Sequence, residues 1–108
     1  MDKQKAQEEI QQIADLIRQT VPVERIYLFG SYAYGEPNEK SDYDFFVVIP
    51  DGSMRPLEAT QKIHRAIAHT PLMTPTDVMA EHKSRFEQTK RFNSLERKVE
   101  QEGRLLYG

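Results

Sequence analysis

The sequence predicts an α/β (α+β) chain: a small mixed sheet of three or more strands flanked by helices, in the order α-β-α-β-α-β-α-α. Segments with apolar residues at helical spacing alternate with short, nearly unbroken apolar runs. Glycine and proline punctuate the joins. A length of 108 residues, 30% of them charged, suffices for one core and leaves no room for a second, so residues 1–108 read as a single domain.

Charge and hydropathy narrow the function. Fifteen Lys and Arg against 17 Asp and Glu give a net charge of -2, and the mean hydropathy is -0.71. Such a chain has no overall cationic bias toward nucleic acid, and direct nucleic-acid binding is not expected. It has no cysteine, which excludes disulfides and thiolate metal sites and suits a reducing cytoplasm. Met1 to Gln12 is polar and charged, unlike a signal peptide, and no apolar run approaches membrane-spanning length. A cytoplasmic protein without membrane contact is the expectation.

From Asp2 to Thr20, Ala6, Ile10, Ile13, Leu16 and Ile17 recur at helical spacing and Pro22 closes the segment, giving a first helix packed on the sheet. Arg25-Ile26-Tyr27-Leu28-Phe29 is a strand that leads into Gly30-Ser31. Tyr32-Ala33-Tyr34 then reads as a short helix ended by Gly35 in the usual C-terminal position, and residues 36–40 as an exposed loop. The second strand, Phe45-Phe46-Val47-Val48-Ile49, lacks polar alternation and reads as buried on both faces. Asp51-Gly52 signals a turn, and Pro56 opens a helix whose buried stripe is Ala59, Ile63, Ala66 and Ile67. Pro75-Thr76-Asp77-Val78-Met79-Ala80 is the third strand. In the charged tail Phe86 and Phe92 offer apolar anchors, Asn93 with Glu96 resembles a capping box for a last helix, and residues 104–107 form a closing extended or edge segment. His64, His69 and His82 lack ligand spacing and read as structural or surface residues.

The chemistry gathers between the first two strands. Ten residues separate Ser31 from Asp42, and one residue, Tyr43, separates Asp42 from Asp44. Alternation along a strand puts Asp42 and Asp44 on one face, with roughly 7 Å between their Cα atoms. Two anions at the mouth of a buried strand repel each other and border a low-dielectric interior. A divalent cation relieves that, and oxygen ligands without Cys or His favour Mg²⁺ or Mn²⁺ over zinc. Gly30 lets backbone approach a ligand, and Ser31 falls where a helix begins, a place suited to phosphate.

This Gly30-Ser31 turn, with Asp42-Tyr43-Asp44 at the head of a hydrophobic strand, resembles the signature of the DNA polymerase β superfamily of nucleotidyltransferases. In so short a chain, Ser41-Asp42-Tyr43-Asp44 looks like its minimal stand-alone branch, with the match running from about Val23 to the end. Members of that branch often act as antitoxins to helical ribonucleases of the HEPN family. The resemblance implies a nucleotidyltransferase fold and transfer of a nucleoside monophosphate, AMP from ATP, onto a hydroxyl, with a tyrosine of a HEPN toxin as the specific acceptor. It also implies two Mg²⁺ or Mn²⁺ ions held by Asp42, Asp44 and Asp77. Asp77 would also help to remove the acceptor's proton, and Gly30 and Ser31 would steady the β and γ phosphates. An aspartate at a strand start also caps turns, which is the plainer reading of Asp77. Larger members carry an extra domain for the acceptor, so here that surface is expected from a dimer mate or a separate protein.

One departure matters. The family pattern Gly-Ser-x-Ala-Arg-Gly carries arginine where this chain has Tyr34, and tyrosine cannot clamp phosphate with a planar fork. Lys40 and Arg55 are cations that could stand in, though each also reads as a solvated surface residue. The alternative function is therefore a catalytically weak or inactive binding module that neutralises a partner by contact. A third reading makes the motif a purely structural loop.

Overall fold

The computed structural model describes residues 3–38 and 41–108. Its elements run α1 (Lys3–Thr20), β1 (Arg25–Phe29), α2 (Ser31–Tyr34), β2 (Tyr43–Ile49), α3 (Pro56–Ala68), β3 (Thr76–His82), α4 (Lys83–Thr89), α5 (Leu95–Glu102) and β4 (Arg104–Tyr107). Asp2, Glu39 and Lys40 lie outside the described residues, so the expectation attached to Lys40 has no structural counterpart here.

The four strands form one mixed sheet in the order β3-β2-β1-β4. β2 is central, antiparallel to β1 and parallel to β3. A parallel pair needs a long crossover, and α3 supplies it between β2 and β3. β4, the extended closing segment of the sequence reading, is an edge strand antiparallel to β1.

The sheet is covered on both faces. Side chains alternate along β2, so Tyr43, Phe45, Val47 and Ile49 point to one side and pack with Ile10, Ile13 and Ile17 of α1 and Ile63 of α3. Phe46 and Val48 point to the other, where they meet Tyr27, Phe86 of α4 and Val99 of α5. Phe86 stacks on Tyr27 with ring centroids 5.8 Å apart and lies 5.5 Å from Phe46. Each fully buried side chain of this size contributes about 1.5–3 kcal/mol. The unbroken apolar run of β2 thus reflects a strand buried on both faces, as its sequence predicts.

Three local expectations need correction. Phe92 is 66% exposed and anchors nothing, whereas Phe86 is fully buried. The last helix is capped by Ser94, whose Oγ accepts from the Arg97 N–H at 3.2 Å, and not by Asn93. Asn93 lies one residue too early, and Glu96 is turned instead toward Glu81. Gly35 ends α2 as expected, its N–H donating to the Ser31 carbonyl, with φ -122°, an extended conformation outside the left-handed region. Along α3, Ala59 and Ile63 are buried, while Ala66 and Ile67 are only half-buried. No helix among the described residues is long and apolar enough to cross a membrane.

Candidate active site

Topology brings the motif residues to one end of the sheet. β1 and β2 are antiparallel, so the end of β1 meets the start of β2, with Phe29 opposite Asp44. β2 and β3 are parallel, so their starts coincide, with Asp44 opposite Asp77. Neighbouring strands lie roughly 4.8 Å apart, and Phe29, Asp44 and Asp77 therefore form one row across the sheet. Asp42 precedes β2 by one residue. Asp42 and Asp77 are exposed and Asp44 is half-buried.

The charge environment follows from this geometry. Burial, then the neighbouring charges of Asp77 and Asp42, raise the pKa of the Asp44 carboxyl. Each cause opposes its ionisation. Among the described residues, none of the three aspartates forms an ion pair with lysine, arginine or histidine. Asp77 Oδ1 accepts from the Val78 N–H at 3.1 Å, a local bond to the next residue. Also among the described residues, no three His, Cys, Asp or Glu side chains form a group ready to hold an ion by themselves.

Gly30 shapes the floor beside Asp44. Its φ is +77°, a region that disfavours side chains, and a Cβ there would collide with Asp44 Oδ2. Its carbonyl accepts from the N–H groups of Ala33 and Tyr34 at 3.0 and 3.1 Å, so α2 starts at once with Ser31. The first N–H groups of a helix have no partner within it, and those of α2 belong to Ser31 and Tyr32. Before Asp42 the loop is framed by Asn38 and Ser41. The Ser41 N–H donates to the Asn38 carbonyl, and the Asn38 N–H donates to Ser41 Oγ.

The sequence reading missed what holds these pieces together. Tyr43, between the two aspartates, points to the opposite face, where its hydroxyl donates to Glu9 Oε1 at 2.6 Å. Burial and the Glu9 bond push its pKa upward. Its ring meets Tyr32 of α2 edge-on, with centroids 4.8 Å apart. Its N–H donates to the Pro75 carbonyl, on the approach to β3. Tyr43 therefore joins α1, α2 and the lead into β3 at one point, and so fixes where Asp42 and Asp44 emerge. An apolar residue between two aspartates was the available signal for its inward direction. Nothing in the helical pattern marked Glu9 as its partner.

Arg55, a proposed stand-in cation, is at the wrong end of the sheet. It precedes α3, next to Met54, whose carbonyl contacts His82 Nε2 at 3.0 Å. His82 pairs with Ile49 at the far end of β2, five residues beyond Asp44 and thus roughly 17 Å away. Tyr34 is 38% exposed, and the Lys98 Nζ of α5 lies 4.8 Å from its ring centroid. Two open grooves, of about 490 and 330 Å³, run along α1 instead, and neither is lined by Ser31 or the three aspartates.

Comparison with known proteins is consistent with this geometry. Residues 10–106 match the family model of the nucleotidyltransferase domain. No curated protein matches the chain. Among solved structures, a provisionally assigned nucleotidyltransferase from Sulfolobus solfataricus superposes with a TM-score of 0.65 at 16% identity, covering 95% of this chain and 80% of its own. The toxin–antitoxin MntA–HpeT, as a mutant with two aspartates changed to glutamate, gives a TM-score of 0.52 at 21% identity over 100% of this chain and 74% of that one. A toxin–antitoxin with AMP-PNP gives 0.52 at 24% identity over 89% and 70%. At these identities the likeness is one of fold.

Proposed function

Because the chain belongs to the nucleotidyltransferase-domain family, we propose that it transfers a nucleoside monophosphate, AMP from ATP, onto a hydroxyl of a second protein. The observation that carries this reading is Asp44, a carboxylate in register with Asp77, close to Asp42, and set against a glycine that leaves it uncovered.

The donor set suits a hard divalent cation, Mg²⁺ or Mn²⁺. It consists of oxygens only, and both burial and like charges resist the ionisation of Asp44. Asp42, Asp44 and Asp77 would hold such ions, with phosphate oxygens and water completing each set. Two bound ions would supply charge neutralisation to the entering and leaving oxygens of an in-line displacement. The rest falls to the chain itself. Gly30 admits phosphate oxygens close to the backbone, and Ser31 donates to them from the first turn of α2. Asp77, on the exposed side of the row, accepts the proton of the attacking hydroxyl. The acceptor oxygen then bonds to the α-phosphorus as the bond to pyrophosphate breaks.

The acceptor, in this reading, is a tyrosine of a HEPN-type toxin, with a second copy of the chain as the other candidate. The support is that Asp42 and Asp77 face open surface, and that two proteins of similar fold are toxin–antitoxin assemblies, one of them with AMP-PNP. Labelled ATP with Mg²⁺ and a co-expressed neighbouring protein tests it. Wild type should label that protein, and Asp42→Asn and Asp44→Asn should abolish labelling. Without metal, Asp44→Asn should be at least as stable as wild type, because it removes a repelled charge. A marked loss of melting temperature would count against its assignment. The second reading, neutralisation by contact alone, is favoured by Tyr34 at the motif's arginine position. It predicts that Asp44→Asn still protects cells from the partner.

A further inference from the structure

Asp42, Asp44 and Asp77 give this end of the sheet a negative face, and a nucleoside triphosphate brings more negative charge to it. Metal ions offset part of that charge, and a cationic side chain on the phosphate side would offset more. Of the two cations singled out from the sequence, Arg55 lies at the opposite end of the sheet, and Lys40 lies outside the described residues.

Lys98 meets the requirement by its placement. It belongs to α5, which is anchored on the sheet by fully buried Val99. The C-terminal end of that helix presses on the end of β1, where a Cβ on Gly103 would collide with the Val99 carbonyl and sit 3.0 Å from the Leu28 carbonyl. Leu28 is two residues before Gly30, so α5 lies beside the turn that carries Ser31. The Lys98 Nζ reaches across to α2 and rests 4.8 Å from the Tyr34 ring centroid. Ser31 and Tyr34 are three residues apart in α2 and so share one side of it. Lys98 is exposed, and none of the ion pairs among the described residues includes it.

We propose that Lys98 is a phosphate-binding cation of this site, its ammonium held on the face of Tyr34 beside Ser31 and delivered from there to the triphosphate tail. This rests on the nucleotidyl-transfer reading above. A lysine suits the task because its charge is a compact point on a flexible four-carbon stem, able to leave an aromatic face for an anion. Tyr34 thereby has a use that an arginine in its place would not allow, since a cation at position 34 would repel Lys98.

Calorimetric titration of the full chain tests this with two probes, MgATP and adenosine, and needs no turnover. Lys98→Ala should weaken MgATP binding by about tenfold and flatten its salt dependence, while leaving adenosine binding and the melting temperature unchanged. Lys98→Arg should recover most of the affinity. Equal MgATP affinity in wild type and Lys98→Ala, with Asp44→Asn still losing it, would overturn the role of Lys98 and leave the nucleotide reading intact. Equal weakening toward adenosine and MgATP would also overturn it, because the effect would then not be on phosphate. If wild type binds no MgATP, the nucleotide reading fails and takes this assignment with it.

Discussion

At Gly30 one residue meets two constraints, a φ of +77° and a neighbouring carboxylate in the space a side chain would fill. Gly30→Ala should therefore cost about 1–3 kcal/mol through backbone strain and displacement of Asp44. Urea unfolding would measure that cost, and transfer activity should fall with it. The same contact explains why the motif needs glycine here even before a ligand is considered. Tyr43 makes a complementary point. Its neighbours in sequence carry the negative charge, yet its own hydroxyl goes to Glu9 on the far side of the sheet. The alternation that sets two carboxylates on one face also sends the residue between them into the core.

Among elements, α5 shows how a charged helix is attached to a sheet. Glu81 of β3, 9% exposed, is the buried charged residue among those described. Burial, then a hydrogen bond with Glu96 of α5, push its pKa from 4.5 up to about 7, against the pull of Arg85, whose Nε lies 2.9 Å away. Folding thus favours the protonated carboxyl. The stability this contributes is complete below about pH 4.5, the unfolded value, and is lost as pH rises through about 7. The melting temperature of wild type should fall across that window, and that of Glu81→Gln should fall less. Asp44 adds to the trend in the same direction, so the comparison between the two proteins is the informative one. Lowered carboxyls such as Asp51, which accepts from the Ser84 N–H, act oppositely and only in acid. Since α5 also carries Lys98, the attachment of this helix bears on the phosphate side of the site.

In the whole molecule, β2 is the member shared by everything else. It pairs with β1 and β3, supplies both core clusters, and delivers Asp44 at its mouth. Phe45, fully buried between β2 and the α1–α3 layer, should show this directly. Phe45→Ala should cost about 3–5 kcal/mol, read as a lower urea midpoint for the entire chain. The grooves along α1 lie apart from the aspartates, of which Asp42 and Asp77 lie on exposed surface. Such a surface suits an acceptor carried by another macromolecule.

The sequence by itself determined the elements and the family. Period 3.6 and unbroken apolar runs marked the helices and strands from α1 to β3, and the Gly30-Ser31 and Asp42-Tyr43-Asp44 spacing marked the family, because both signals are local. The Asn93 cap and the Phe92 anchor misled for the same reason: a cap is decided by backbone geometry within one residue, and burial by what lies opposite. Only the tertiary structure decided which distant residues meet. It put Asp77 in register with Asp44, Glu9 on Tyr43, Glu96 against Glu81, Lys98 over Tyr34, and Arg55 at the opposite end of the sheet. Those meetings depend on strand order and helix placement, which arise from packing the whole chain and leave no periodic trace in any one segment.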